Sequence, residues 1–314
     1  MENHDIQLPM DEKLTINIGT RGSKLALAQA DIVSNLLKEH HQGVKTNIIK
    51  IKTTGDKILE KNLNEIGGKG LFIKEIEEHL LDGRVDIAVH SMKDMPALMH
   101  DAFEIPCILE REDARDALIS KKCSKISDLP QGAVVGSSSP RRAAQILSAR
   151  PDINIVQFRG NIHTRLQKLE DNIVDATLLA MAGLIRGNIQ SDIIYPIDDK
   201  EMLPAVAQGA IGIQIRKDDS KFKDVLAPLN HETTYKCIMA ERVFLKEFEG
   251  SCKTPIGALA RIDGDNIKIE FMIASLDGSK VYRTVRQGAV SESTELATDA
   301  ASYLKYKAGD GFFS

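Results

Sequence analysis

The chain has 314 residues, 42% of them hydrophobic and 27% charged, with a net charge of −4 from 41 Lys plus Arg against 45 Asp plus Glu. That is a globular composition with room for roughly two to three domains, and the near balance of charge argues against a general nucleic-acid binder. Residues 1–13 are polar and acidic, without the apolar centre of a signal peptide. The most apolar stretch, 176–185, is about half of the ~20 residues a membrane span needs, so a soluble, non-secreted chain is expected.

In chain order, strand-like and helix-like runs alternate over the first 200 residues or so, the signature of an α/β sheet with crossover helices. Residues 16–18 read as a strand, followed by Gly19-Thr20-Arg21-Gly22-Ser23 and a helix whose buried stripe is Leu25, Ala28, Ile32 and Leu36. Residues 48–51 read as a strand. The spacing predicts a helix over 69–81 with Phe72, Ile73, Ile76 and Leu80 inward and Gly83 just past its end. Residues 85–89 read as a buried strand, with His90-Ser91-Met92-Lys93-Asp94 at its exit. A charged stretch, 110–116, suggests a hinge. Strands at 133–135, 153–158 and 176–179 then alternate with helices at 140–150 and 162–169, giving two similar α/β lobes around a cleft. Residues 210–215 read as a strand able to recross to the first lobe. The last 80 or so residues change character. A helix over about 234–249 precedes strands near 258–262, 267–274 and 281–285, with Asp263-Gly264 and Asp277-Gly278 as turns, and a helix over about 292–305.

The segment Gly136-Ser137-Ser138-Ser139-Pro140-Arg141-Arg142 carries the most chemistry. Ser139 suits an N-cap and Pro140 a first helical position. Arg141 and Arg142 then stand in the first turn, against the helix dipole, at a cost of a few tenths of a kcal/mol each. An anion at that helix start explains the violation. A solvated basic helix start would explain one such arginine, but the arrangement recurs. Arg21 and Ser23 flank the first helix start, Arg159 and Arg165 bracket another, and Arg186 follows the turn around Gly183. Arginines beyond the carboxyl ends of strands are where open α/β sheets hold ligands, and the planar guanidinium suits carboxylate or phosphate. Gly67-Gly68-Lys69-Gly70 lacks the Gly-Lys-Ser/Thr ending of a phosphate loop, and no G-x-G-x-x-G follows the first strand. Carboxylate is therefore preferred.

Asp94 reads either as a surface turn residue or as a cleft carboxylate that balances positive charge formed in a reaction. None of Cys107, Cys123, Cys237 and Cys252 forms a Cys-x-x-Cys pair or sits at zinc-ligand spacing from a His, so no metal is expected. Three read as small buried hydrophobes. Cys252 lies in the loop Glu249-Gly250-Ser251-Cys252-Lys253, where Lys253 could favour a thiolate.

Taken in order, Thr20–Ala26, Gly67–Phe72, Val89–Asp94, Gly136–Arg142, Arg159–Arg165, Ala182–Leu184, Leu203–Gly212 and Glu249–Gly257 resemble the porphobilinogen deaminase (hydroxymethylbilane synthase) family over nearly the whole chain. The resemblance implies an α/β fold of two periplasmic-binding-protein-like lobes plus a small C-terminal α+β domain with an antiparallel sheet. The lobes would be 13–109 with 210–228 and 115–203, and the C-terminal domain, 232–314, would carry the cofactor cysteine. It implies a cytoplasmic, monomeric transferase of tetrapyrrole and heme biosynthesis that condenses four porphobilinogen molecules head to tail, releases ammonia, and frees the linear product by hydrolysis. It further implies a covalent dipyrromethane primer on Cys252, Asp94 as the catalytic carboxylate, and Lys93, Ser137, Ser139, Arg141 and Arg142 as primer-binding residues. Arg21, Ser23, Arg159, Arg165, Arg186 and Phe72 would handle substrate. Glu65, Ala207 and His163 depart from the family's usual residues, and Glu65 puts the loop before Gly67 in question. The alternatives are a non-catalytic two-lobed binding module for a small dicarboxylate, which would have no use for Cys252, and an enzyme of phosphoryl ligands, disfavoured by the missing phosphate loop.

Overall fold

A computed structural model describes residues 14–53, 73–249, 254–309 and 311–313. In the first sheet, β1 (Thr15–Arg21), β2 (Lys45–Ile51) and β3 (Ile87–Ser91) run parallel, with α1 (Lys24–His40) crossing from β1 to β2 and α2 (Lys74–Leu81) preceding β3. β4 (Phe103–Ile108) lies at the edge and β10 (Ile211–Arg216) lies antiparallel between β3 and β4. The edge position explains Pro106 inside β4, since a proline cannot donate to a ladder on both sides. It also explains why that strand is hard to see in the sequence.

The second sheet repeats this plan. Its order is β7 (Asn154–Val156), β6 (Val134–Gly136), β8 (Ala176–Ala180), β5 (Asp116–Ser120) and β9 (Ile194–Pro196). β6 is parallel to β7 and β8, whereas β5 is antiparallel to β8 and β9. The helices α3 (Pro140–Ala149), α4 (Ile162–Glu170) and α5 (Met181–Arg186) connect these strands. In each sheet the antiparallel strand next to the edge is the one that arrives from the other sheet. β10 thus makes the recrossing expected for 210–215, and the charged stretch 110–116 leads into β5. Short β9 and the Asp-led β5 gave no periodic signal.

Beyond α6 (Ser220–Leu226), α7 (Glu232–Glu247) leads to an antiparallel meander of β11 (Ile256–Asp263), β12 (Asn266–Ala274) and β13 (Val281–Ala289), closed by α8 (Ser293–Ala308). Phe244, Phe271, Ala297, Ala301 and Leu304 share one core with Met92, Met95, Val206 and Ala207. The opposite face of the meander packs Leu259 and Met272 on Ala144 of α3 and on Leu203. Each such fully buried large side chain contributes roughly 1.5–3 kcal/mol. The C-terminal unit is therefore seated against the turn that carries Asp94 and against the helix that begins with Arg141.

One expectation about α1 is corrected. Its fully buried face is Ala30, Val33 and Leu37 with Gln29 and Ser34, and the expected Leu25, Ala28, Ile32 and Leu36 are only half-buried. The polar members are accommodated because they are paired. Gln29 exchanges hydrogen bonds with Ser91 at 2.8 and 3.0 Å, and Ser34 meets Thr46 at 2.7 Å. Polar residues on the core face displaced the apparent apolar stripe.

Candidate active site

Arg21 closes β1, and Ser23 caps α1 by accepting from the Ala26 N–H at 3.2 Å. Asp94 ends a single 3₁₀ turn, Met92–Asp94, that follows β3 directly, so the strand aims it past the carboxyl edge of the sheet. Arg21, Ser23, Gln29, His90, Ser91 and Asp94 are among the residues that line a cavity of about 80 Å³ there. Across the cleft, a Cβ placed on Gly183 of α5 would lie 3.7 Å from Leu25, which puts the start of α1 beside the helix that ends with Arg186.

The start of α3 is as the sequence predicts. Ser139 accepts from the Arg142 N–H at 3.5 Å, Pro140 occupies the first turn, and Ser137 Oγ accepts from the Ser139 N–H at 3.2 Å. The two arginines are not solvated. Arg141 is 4% and Arg142 7% exposed, and both converge on Asp116, which is fully buried. Arg142 donates through Nε and Nη2 to Asp116 Oδ1 at 3.1 and 2.7 Å, and through Nη1 to the Leu178 carbonyl at 2.8 Å. Arg141 pairs with Asp116 Oδ2 at 2.8 Å and donates to the Leu203 carbonyl at 2.7 Å. An internal carboxylate is thus the first answer to the dipole violation. Burial alone would raise the Asp116 carboxyl. Arg141, Arg142 and the donors on Gln208 and Arg142 outweigh it, and the net shift is strongly down.

Asp116 does not exhaust this cluster. Arg141 Nε has no hydrogen-bond partner among the described residues, and burial lowers the Arg141 guanidinium while Asp116 opposes it. Lys93 is half-buried. Desolvation pushes its ammonium down to about 8, with Asp94 and Asp116 opposing and Arg142 and Arg141 adding to the fall. Arg165, whose Nε donates to the Gly160 carbonyl at 3.0 Å, is lowered to about 10 by burial and by Arg142. Cations therefore outnumber carboxylates in a poorly hydrated space, which is the electrostatic condition for drawing in an anion. Groups bearing carboxylates fit these donors. Arg186, on α5, donates to the Gly209 carbonyl at 2.7 Å, and burial lowers it against the opposing charge of Glu112. Arg159 is half-buried in the loop after β7, and its carbonyl accepts from Lys168. No ion pair ties it to the others among the described residues.

Phe72 and Cys252 lie outside the described residues, as do Glu65 and the glycine-rich run 67–70. Cys107 and Cys237 are buried, and burial pushes their thiols up to about 12 and about 11. Neither offers a thiolate at neutral pH.

Three residues absent from the sequence-based site organise it. Asp116 is one. Gln208, 1% exposed, accepts from Lys93 Nζ at 3.4 Å and donates to the Ala114 carbonyl at 2.8 Å and to Asp116 Oδ1 at 3.0 Å. It thereby connects the two lobes' charged residues through the crossover. Glu241 of α7, fully buried, accepts from Arg111 Nη1 at 2.5 Å and Nη2 at 3.2 Å, from the Ala207 N–H at 2.7 Å and from the Ala260 N–H at 2.8 Å. Asp116 and Gln208 fall within segments already singled out, but nothing local marks either as a partner of an arginine. Among the described residues no helix is long and apolar enough to cross a membrane, and no group of three or more His, Cys, Asp or Glu could hold a metal ion.

Residues 16–224 match the family model "Porphobilinogen deaminase, dipyromethane cofactor binding domain", and residues 235–306 match "Porphobilinogen deaminase, C-terminal domain". Among curated relatives, the porphobilinogen deaminase of Paracoccus denitrificans is 48% identical over 98% of each chain. The chloroplastic porphobilinogen deaminase of Oryza sativa is 50% identical over 95% of this chain and 85% of that one. Among solved structures, a probable amino-acid ABC transporter extracellular-binding protein from Bacillus subtilis aligns with a TM-score of 0.41 at 13% identity, over 68% of this chain and 89% of that one. With both of its matched segments in order, and at this identity over nearly its full length, the chain belongs to the porphobilinogen deaminase family.

Proposed function

We propose that the chain is a hydroxymethylbilane synthase, a transferase that adds four porphobilinogen units head to tail to a dipyrromethane primer joined by a thioether to Cys252. Ammonia leaves at each addition, and hydrolysis frees the linear tetrapyrrole. The observation that carries the reading is the excess of buried and half-buried cations at Lys93, Arg141, Arg142 and Arg165, set beside the exposed carboxylate of Asp94. A ligand built from pyrroles bearing acidic side chains needs that pairing of many cations with one acid. The primer, when bound, supplies the pyrrole end that is extended.

On this reading Lys93, Ser137, Ser139, Arg141 and Arg142 hold the primer's acid groups, and the spare Nε of Arg141 is one donor for them. Arg21, Ser23, Arg159, Arg165, Arg186 and Phe72 hold the substrate and the growing chain. Asp94 stabilises the positive charge that develops on the substrate as ammonia departs, through its pyrrole N–H. The same reading divides the chain into 13–109 with 210–228, 115–203 and 232–314, and takes the enzyme as a cytoplasmic monomer. A binding module for a small dicarboxylate would be served by the arginines but not by Asp94 or a primed cysteine.

Intact-mass spectrometry of active protein tests this. The expected mass exceeds that of the bare chain by two linked pyrroles mapping to Cys252. Asp94→Ala should remain folded and lose about 10²–10³ in kcat, the usual effect of removing one transition-state stabiliser. Full activity from an unmodified chain would exclude the primer, and wild-type turnover in the variant would exclude Asp94.

A further inference from the structure

Behind Asp94 the cavity wall holds a polar chain that the roles above leave unused. His90 is 7% exposed and lines the cavity with Arg21, Ser23 and Asp94. Its partner across the sheet is Gly212 of β10, so Gln214, two residues on, stands on the same face. Gln214 is fully buried. Its Nε2 donates to Glu77 Oε1 of α2 at 2.9 Å. With the amide nitrogen committed to a carboxylate, only Oε1 is left to face His90 Nε2, at 2.9 Å. Nε2 must therefore carry the imidazole proton, and Nδ1 carries a lone pair. Nδ1 makes no hydrogen bond to any described residue, and it is not among the sealed polar atoms left without a partner. Desolvation lowers the His90 imidazole to about 4, with Arg21 adding to the fall and Gln214 opposing it. The ring is thus neutral at neutral pH, a neutral acceptor on a wall that also carries the Arg21 guanidinium and the Asp94 carboxylate.

We propose that His90 is a substrate-binding residue whose Nδ1 accepts a hydrogen bond from an N–H group of the incoming unit, beside the Asp94 carboxylate. The assignment rests on the reading above, in which that unit is porphobilinogen, with N–H donors at its pyrrole ring and aminomethyl group and acids elsewhere. Arginines then take the acids while His90 and Asp94 take the nitrogen end. The wall sorts the two ends of the unit and fixes which way round it enters, as head-to-tail growth requires.

Two substitutions separate this role from a structural one. His90→Gln can keep a polar group where Nε2 bonds Gln214 but removes the Nδ1 acceptor. His90→Asn keeps a polar atom near Nδ1 but releases Gln214. Loss of one neutral hydrogen bond to the ligand should raise KM for porphobilinogen about tenfold in His90→Gln, with normal primer mass and an unchanged unfolding midpoint. His90→Asn should hold KM closer to wild type despite a lower midpoint. The opposite ranking, with Gln restoring wild-type KM and Asn not, would make His90 purely structural. Nitrogen-15 NMR of the His90 ring in the Asp94→Ala protein gives a second readout with the native imidazole. The Nδ1 resonance should move when porphobilinogen is added, and a fixed resonance at saturation would overturn the assignment. An active wild-type chain without primer would instead overturn the functional reading, so the two failures are distinct.

Discussion

Lys93 is the side chain whose charge the site controls most directly. Its folded value of about 8 lies below the ~10.4 of an unfolded lysine. The charged form is therefore penalised on folding, and this group's contribution to stability rises as pH rises from about 8 to about 10.4. Function runs the other way, because a neutral amine no longer attracts carboxylates. We expect kcat/KM to fall as pH climbs above about 8, and Lys93→Arg, whose guanidinium keeps its proton, to move that limb upward by a unit or more. A pH–rate profile with the same alkaline limb in both proteins would detach it from Lys93. At this scale the sequence was legible for caps and charges but silent on partners. Ser139, Pro140, Arg141 and Arg142 could be read as a helix start that attracts an anion. That the first such anion is Asp116, 25 or so residues upstream, depends on a contact between elements.

Among the elements, α7 does the most to hold the site's surroundings together. Glu241 receives donors from Arg111 in one crossover, Ala207 in the other, and Ala260 of β11. Arg111 is only 12% exposed in its side chain, so removing the carboxylate strands a buried cation, which typically costs about 3–5 kcal/mol. Glu241→Gln, equal in size, should show that loss as a lower urea midpoint. Arg111→Met with Glu241→Leu should lose less than the two single substitutions added together, because the partners act as a unit. Additive losses would mean the pair is not coupled. α7 itself is a regular helix that the sequence places within two residues at each end. Its role as a junction depends on where the crossovers run, and that is not written in its own periodicity.

For the molecule as a whole, the two crossovers set how the lobes face each other. Gly209 lies in one of them at φ +91°, and a Cβ there would overlap the Glu112 carbonyl oxygen of the other. Its own carbonyl accepts from Arg186. Gly209→Ala should cost about 3 kcal/mol, from a strained backbone and from an overlap that backbone atoms cannot relieve. Thermal unfolding followed by circular dichroism measures it, and an unchanged midpoint would mean that the crossovers have room to part. Two residues earlier, Ala207 already sits at φ +60°, where a side chain is disfavoured. The chain holds that turn by tying the Ala207 N–H to Glu241 rather than by leaving it free of a Cβ.

The sequence by itself determined the alternating elements, the helix starts beside Ser23, at Ser139 and near residue 162, the C-terminal meander, and the arginines that mark an anion cleft. These follow from short-range physics: side-chain periodicity, capping and the dipole act between residues a few positions apart. Through the ordered motifs it also determined the family. Only the tertiary structure decided that β5 and β10 each enter the opposite sheet, that α1 buries Gln29 and Ser34 by pairing them, and that Asp116, Gln208 and Glu241 hold the crossovers. Those outcomes depend on which distant groups can satisfy a buried charge or donor, and burial is a property of the assembled chain.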